Sequence, residues 1–551
     1  MDSEHPDLED DLVSGYDSVD EDYTTDPYYD WAHGTCCAGL AAASTNNNLG
    51  IAGVGYNCKI MPLQASHDED LSNSSNFAAA INWAWNHGAD IISISAYTTT
   101  ADAVNNAINS ATSSGRSGKG CIVVNCAGND NGSIVFPGQH PKVLTVGATD
   151  QNDSRMSYSN YGSALNVMAP TNVYTTDMTG EAGKTLSDYY NSFGGTSAAT
   201  PQVAGLAGLI LSVDNSLDEG EVRDIICYTS DDKGSPGWDQ YYGWGRINAY
   251  SAVKCANGNF TTSGTMQYSE YWHDTVNLTG NLTVPTGKYL YISDNTTVNL
   301  NGYYIYCSGT GRIYHNGTVN GYKHYSTYTS SYYTGFYPSS VSIQQIINWA
   351  SSGWNIYIDS GTYSGTLSMK AGVDIYGTGI TSTIINGGTN FNNDDGAGLS
   401  DVTVKDKITV NNSDGVVISS FKAGHSNCYI DLASSSMLGL GSITSLVTQT
   451  QGIYAHSGSD FSLISGSLKN KMDAVQLSGS SNGDIYWGGF CQNSYYDIIA
   501  FSSCAHAYGC TFSSSVPGGS VSGNVYWDNW NYCGGGGGFL AVNQTIRQTM
   551  C

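Results

Sequence analysis

The sequence predicts a multi-domain chain, an α/β part followed by an all-β part. Three observations carry that reading. Up to about residue 255, short apolar runs alternate with segments of helical period, the pattern of a parallel sheet covered by helices on both faces. After Cys255 helical periodicity nearly disappears and Gly, Ser, Thr, Asn and Tyr dominate. The 551 residues exceed one ordinary domain of roughly 100–200 residues. With 66 Gly, 40 Tyr and only 12% charged residues, strands and turns are favoured over a coiled coil or a disordered chain.

In chain order, residues 59–65, 89–95, 121–127 and 143–149 read as buried strands, and 76–87 and 101–112 as helices between them. Two more helices follow His33, to about Ala43, and Thr196, over 203–211. In such a sheet the functional loops gather at the strand C-termini. Beyond residue 255, short strands recur at 281–285, 288–292, 297–302, 303–307 and 311–317. From Trp354 many follow at spacings near ten residues or below, which suits a solenoid better than the competing β-sandwich. One helix is expected over 342–351, and the Tyr-rich stretch 325–337 reads as a linker. Domains are expected at 1–255, 256–337 and 338–551.

Asp and Glu total 47 against 20 Lys and Arg, a formal charge of −27, and no basic patch is visible. Nucleic acid and other acidic partners are therefore poor candidates. The first 255 residues hold 31 acids and 10 bases, and the first thirty hold twelve acids with no Lys or Arg. Such a segment is either a solvated acidic surface or a set of calcium-holding loops. Fourteen cysteines show no CxxC pair and no zinc-like spacing. Adjacent Cys36 and Cys37 cannot easily bridge each other, so a few disulfides of open connectivity are expected elsewhere. No run of 18 apolar residues occurs, so no membrane span is expected, and the first residues do not read as a signal peptide.

Two motifs carry the chemistry. His33-Gly34-Thr35-Cys36-Cys37-Ala38-Gly39 opens a small-residue helix. Gly194-Gly195-Thr196-Ser197-Ala198-Ala199-Thr200-Pro201 packs small residues around a hydroxyl at the start of an apolar helix. These motifs resemble the subtilisin-like serine protease family (peptidase S8 type). His5-Pro6-Asp7-Leu8, the loop 46–55, Ala127-Gly128-Asn129, Phe136-Pro137-Gly138 and the segment 242–249 extend the resemblance across nearly all of 1–255.

The resemblance implies a serine endopeptidase acting on protein or peptide substrates. Ser197 would attack the peptide carbonyl as His33 takes its proton, and Asn129 would donate to the oxyanion. Ser95, Ala96 and Tyr97 would pair with an extended substrate, with Ala127 and Gly128 beside it. Tyr97 stands where many family members carry Gly, which alters the groove. Cys37, one helical turn after His33, matches members with a cysteine under the catalytic His, and a space-filling thiol is the plainer reading. Asp7 and Asn47, with carbonyls near Leu49 and Ile51, resemble a structural calcium site. The triad acid of the family lies a few residues before His-Pro-Asp-Leu, which here begins at residue 5. Its place therefore falls before Met1, Asp2 aligns with a variable position, and Asp30 gains no role from the resemblance. The chain is expected to be an impaired, N-terminally truncated peptidase domain.

From about residue 342 the sequence resembles pectate-lyase-like right-handed parallel β-helix proteins. That resemblance implies a substrate-, polysaccharide- or surface-binding role for 338–551. Asp394-Asp395 is the one acidic pair of the kind some such proteins use in catalysis. Two alternatives remain open at this point: a catalytically dead protease-fold adhesin, or a polysaccharide-binding or polysaccharide-active protein. Secretion or a cell-surface location is expected in each case.

Overall fold

The computed structural model describes residues 1–27, 31–67, 73–180, 183–329, 332–423, 430–434, 438–443, 453–457, 459–469, 473–478, 482–491, 496–508, 511–513, 521–528 and 531–533. Asp30 and the C-terminal glycine run lie outside them. The chain forms two compact units: Met1–Asn277 with Thr283–Val298 and Thr310–Thr318, and Leu278–Leu282 with Asn299–Gly309 and Val319–Cys551.

In the first unit, β1 (Tyr16–Asp17) precedes α1 (His33–Ala42), β2 (Leu63–Gln64), α2 (Ser74–Asn86), β3 (Ile91–Ile94) and α3 (Asp102–Gly118). Then come β4 (Ile122–Cys126), β5 (Val143–Thr149), β6 (Val167–Pro170), β7 (Val173–Thr176) and β8 (Tyr189–Phe193). Helices α4 (Thr196–Val213), α5 (Glu219–Tyr228) and α6 (Ala249–Ala256) follow. Strands β3-β4-β5-β6 form one sheet, every neighbouring pair parallel. Every residue of β4 and β5 is buried, as their unbroken apolar runs require of strands covered on both faces. Alternation then assigns the faces. Val123, Ile92 and Ile94 pack with Phe77, Ile81, Val104 and Ile108 of α2 and α3. Ile122, Val124, Leu144 and Val146 pack with Val203, Leu206 and Ile210 of α4 and Ile225 of α5.

The expected strands at 89–95, 121–127 and 143–149 and both expected helices are present within a few residues. Residues 59–65 yield only the two-residue β2, because β1 is its one partner in a separate two-stranded sheet. Helix α4 is long and apolar enough to cross a membrane, yet it is mostly buried inside this unit, where it fills the core beneath the sheet. None of the expected disulfides joins the eight cysteines whose side chains are described. Eight cysteines, Cys36, Cys37, Cys58, Cys121, Cys126, Cys227, Cys255 and Cys307, are free thiols.

Three short parallel strands, Glu270–Trp272, Tyr289–Ile292 and Arg312–His315, also belong to the first unit. Their tyrosines extend the core beyond α5. Tyr291 stacks on Tyr228 at 3.8 Å and on Tyr314 at 4.5 Å between ring centroids. Stacked rings of this kind contribute about 0.5–1.5 kcal/mol beyond their buried area.

Among its described residues the second unit is all-β apart from one helix, Ile343–Trp349, capped by the reciprocal Ser342 and Gln345 side chains. The expected linker instead forms two antiparallel strands, His324–Thr329 and Tyr332–Tyr337, with Tyr325 facing Phe336. Cross-strand aromatic pairs hold them, since Tyr325 also stacks on Tyr357 of the strand Asn355–Ile358 at 4.8 Å. The strand Asn355–Ile358 pairs antiparallel with His324–Thr329, whereas successive coils beyond it pair in parallel and like residues fall into columns. Ile356 faces Ile375, Ile375 faces Leu399, and Leu399 faces Ile418. Phe391, Val410, Leu432 and Ala455 form a second column. Both columns are buried in one continuous core.

Helix α5 supplies a pH-dependent weakness in the first unit. Burial pushes the Asp224 carboxyl up to about 6, against the partial relief given by Arg223. A carboxyl whose folded pKa is raised favours the folded state while protonated, so stability falls as pH rises from about 4 to 6. Asp224→Asn should remove that fall, which is worth up to about 3 kcal/mol, when the midpoint of urea unfolding is followed across this range.

Candidate active site

The N-termini of α1 and α4 and the C-terminal end of β3 meet at one cavity of about 1850 Å³, lined among others by His33, Cys37, Ser95, Ala96, Tyr97, Gly128, Asn129 and Ser197. Helix α1 begins at His33 and packs closely on β7. Gly39 is required there, because a Cβ would stand 2.2 Å from Thr176 Oγ1. Thr175 and Thr176 hydroxyls donate to the Cys36 and Thr35 carbonyls, both at 2.7 Å, which fixes the first turn.

Helix α4 is entered through Gly195 at φ 81°, a left-handed conformation that glycine adopts without strain. Ser197 is its second residue and Pro201 lies four further on. Proline has no N–H, so the Ser197 carbonyl lacks its usual helical donor. Two side chains replace it. Ser95 Oγ donates to that carbonyl at 2.9 Å, and the Cys37 thiol approaches it at 3.7 Å. Ser197 Oγ in turn donates to the Ser95 carbonyl at 3.4 Å. The same Cys37 sulfur lies 3.9 Å from His33 Nδ1, so one thiol sits against both the histidine and the serine residue. Desolvation pushes that thiol up to about 12, which keeps it neutral at pH 7. Phe193 packs edge-on against the His33 ring at 5.5 Å.

Asn129 is oriented by the start of α4. Its Oδ1 accepts from Thr196 N at 2.9 Å and from Thr196 Oγ1 at 3.1 Å. With the oxygen committed, Nδ2 is the remaining edge of an amide that lines the cavity. Gly128 has φ 102°, its N–H donates to Thr196 Oγ1 at 3.2 Å, and a Cβ there would meet Asn160 Nδ2 at 2.4 Å. Ala127 is fully buried beneath, donating to the Val146 carbonyl. Ser95–Tyr97 directly follow the C-terminal end of β3. Asn125 Nδ2 grips the Ile94 and Ala96 carbonyls at 2.7 and 2.8 Å, while the Tyr97 side chain is exposed.

Comparison with known proteins bears directly on this arrangement. The model of the subtilase family, Peptidase S8, matches residues 1–245. Thermitase of Thermoactinomyces vulgaris is 38% identical over 255 residues, which cover 46% of this chain and 85% of thermitase. The chain belongs to the subtilase family. A thermophilic serine proteinase of Bacillus sp. strain AK1 is 40% identical over 258 residues, 46% of this chain and 59% of the relative. A calcium-dependent protease of Trichormus variabilis is 35% identical over 268 residues, 41% of this chain and 40% of the relative. The subtilase match thus spans well under two thirds of two of these three relatives.

The remaining expected groups fall in two places. Asp7 and Asn47 come together: Asp7 is fully buried and accepts from Asn47 Nδ2 at 2.6 Å, Ile51 N at 3.0 Å and Tyr189 Oη at 3.3 Å. Asp394 and Asp395, in the second unit, are engaged in backbone turns. Asp394 accepts from Asn392 N at 2.7 Å and Asp395 from Asp414 N at 2.8 Å, which is a structural use of both. Sequence reading missed one cluster in the subtilase unit. His67 Nε2 is 2.8 Å from Asp17 Oδ2 and 3.6 Å from Asp20 Oδ2. The acid run 17–22 was visible, but its histidine partner is remote in sequence.

The Ser95 hydroxyl should matter because Pro201 is there. Ser95→Ala leaves the half-buried Ser197 carbonyl with only a weak thiol donor and should cost about 1 kcal/mol. In a Pro201→Ala background the helix regains its own N–H, and the same substitution should cost less than half as much. A double-mutant cycle by chemical denaturation measures the difference.

Proposed function

We propose that the first unit is a serine endopeptidase working through an acyl-enzyme. The convergence of His33, Asn129 and Ser197 on one cavity at two helix N-termini is the observation that carries it. Ser197 Oγ leaves the Ser95 carbonyl and attacks the substrate carbonyl as His33 accepts its proton. His33 then returns the proton to the leaving amine. Asn129 Nδ2 and backbone N–H groups at the start of α4 stabilise the oxyanion, aided by the positive end of the helix dipole. An extended substrate pairs with Ser95, Ala96 and Tyr97, and Gly128 with buried Ala127 forms the wall beneath the groove. The exposed Tyr97 ring narrows the groove next to the scissile bond.

Cys37 lies against the ring nitrogen of His33 that an orienting acid would take, and it is neutral. Asp2 is engaged elsewhere: its Oδ2 accepts from Thr179 N at 2.8 Å and Thr179 Oγ1 at 2.9 Å. The second unit we read as a right-handed parallel β-helix that presents the peptidase to substrate or surface, a reading its parallel columns support. The relatives named above are proteases, and secretion is the location we infer.

Calcium is the cofactor this reading includes. Turning the Asn47 amide about its last bond would set an oxygen beside Asp7. With loop carbonyls near Leu49 and Ile51, that gives the all-oxygen donor set calcium takes. Its contribution would be structural, joining the 46–51 loop to the Asp7 turn.

Two tests follow. Purified chain should hydrolyse a chromogenic peptide slowly but above background. Ser197→Ala should abolish that rate, and Asn129→Ala should lower it a further 10²–10³-fold. Activity indistinguishable from Ser197→Ala would defeat the enzymatic reading. Calcium at 100 times its dissociation constant should stabilise the fold by about 2.7 kcal/mol, seen as a rise in thermal midpoint that Asp7→Asn abolishes.

A further inference from the structure

We propose that Tyr158 and Thr171 are positioning residues for the oxyanion site, acting through one residue between them, Gly195. The inference rests on the peptidase reading of Ser197 and Asn129. Gly195 stands two residues before Ser197 and caps α4. Its φ of 81° and ψ of 172° are open to glycine and to almost no other residue. That freedom cuts both ways, because the residue best able to enter this conformation is also the most free to leave it. A restraint from outside the helix is therefore needed.

The restraint is a closed ring of three hydrogen bonds. Gly195 N–H donates to Tyr158 Oη at 3.2 Å, and Tyr158 Oη donates to Thr171 Oγ1 at 3.4 Å. Thr171 Oγ1 donates to the Gly195 carbonyl at 3.0 Å, which closes the ring. The direction is forced. An amide N–H can only donate, so the Tyr158 hydroxyl accepts there and has its one proton left for Thr171. Thr171 has in turn one proton left for the carbonyl. Each hydroxyl both accepts and donates, an arrangement in which neighbouring bonds polarise one another. The two side chains come from the segments on either side of β6, and Thr171 is itself buried, with its N–H on the Thr149 carbonyl of β5 at 3.0 Å.

The ring is tied to the Asn129 loop as well. The Tyr158 carbonyl accepts from Asn131 N at 2.7 Å, two residues beyond Asn129. A Cβ placed on Gly195 would stand 3.3 Å from Asn129 Nδ2, so the glycine backbone runs beside the amide edge proposed for the oxyanion. Rotation at Gly195 would carry the Thr196 N–H away from Asn129 Oδ1, and with it the grip that orients the amide. Tyr158 thus joins the two sources of oxyanion hydrogen bonds, the Asn129 side chain and the start of α4. Neither hydroxyl-bearing side chain lines the cavity, so the effect on the reaction passes through Gly195.

The test uses the full chain with a chromogenic peptide and a fluorophosphonate. Tyr158→Phe removes one hydroxyl of the ring and keeps the aromatic side chain, and Thr171→Val removes the other. Each should lower kcat about ten-fold and leave KM within about two-fold, the split expected of an interaction that matters only in the transition state. Thr171→Ser keeps a hydroxyl and should retain most of the activity. The double variant should fall no more than about two-fold below the weaker single one, because opening the ring once already releases Gly195. The rate constant of fluorophosphonate labelling at Ser197, taken per labelled site, should fall in parallel. Unchanged kcat in both single variants would overturn the proposal, as would a rise in KM at constant kcat or losses that multiply in the double variant. A loss confined to the labelled fraction would overturn it too, since that marks unfolded molecules and a merely structural role. Should Thr171→Val fail to fold, Tyr158→Phe and Thr171→Ser still decide. If the unaltered chain shows no turnover and no labelling that depend on Ser197, the peptidase reading itself falls, and this inference with it.

Discussion

The Ser197 carbonyl is the point on which the site depends. Pro201 withholds the helical N–H that would occupy it, and Ser95 Oγ takes that place at 2.9 Å. This bond ties the first turn of α4 to the end of β3, and the Cys37 thiol brings α1 to the same atom. Three elements that are distant in sequence are thereby fixed at one spot, with His33, Ser197 and Ser95 each belonging to a different one. A carbonyl left without a donor in this half-buried place would cost stability, so the geometry is held by the cost of breaking it.

Everything else in the unit serves that convergence. Fully buried β4 and β5 form a rigid platform whose strand ends deliver Asn129 just past β4, and α4 fills the core beneath while presenting its N-terminus to the cavity. Thr196 joins the two, because its N–H and hydroxyl both hold the Asn129 oxygen. Glycine at 195, with φ 81°, lets the chain enter α4 close to that amide. The result is a set of polar groups held in fixed positions, the kind of arrangement that electrostatic stabilisation of a developing charge requires.

The sequence was most readable where packing leaves little choice. The Gly-Thr-Ser-Ala-Ala-Thr-Pro string and the His33 motif announce their chemistry because small residues are needed wherever backbones approach closely, as Gly39 against Thr176 illustrates. The buried strands at β4 and β5 were legible from unbroken apolar runs. Non-local pairing was not legible. Residues 59–65 look like a full strand, yet they form only a two-residue strand and a separate bridge from Ile60 to Leu12, because strand content depends on a partner and β1 is short. The Tyr-rich stretch 325–337 reads as a linker by composition, yet it forms antiparallel strands whose aromatic rings stack across neighbours distant in sequence. The reciprocal bonds between Ser95 and Ser197, and the pairing of His67 with Asp17 and Asp20, likewise join positions that no local pattern connects.

The central claim is that Ser197 is a nucleophile served by His33. Prolonged incubation of the full chain with a fluorophosphonate, followed by peptide mass spectrometry, tests it most directly. The account predicts a slow, single adduct on Ser197 that His33→Ala suppresses and prior denaturation abolishes. No adduct on Ser197, or one that forms equally well without His33, would contradict it.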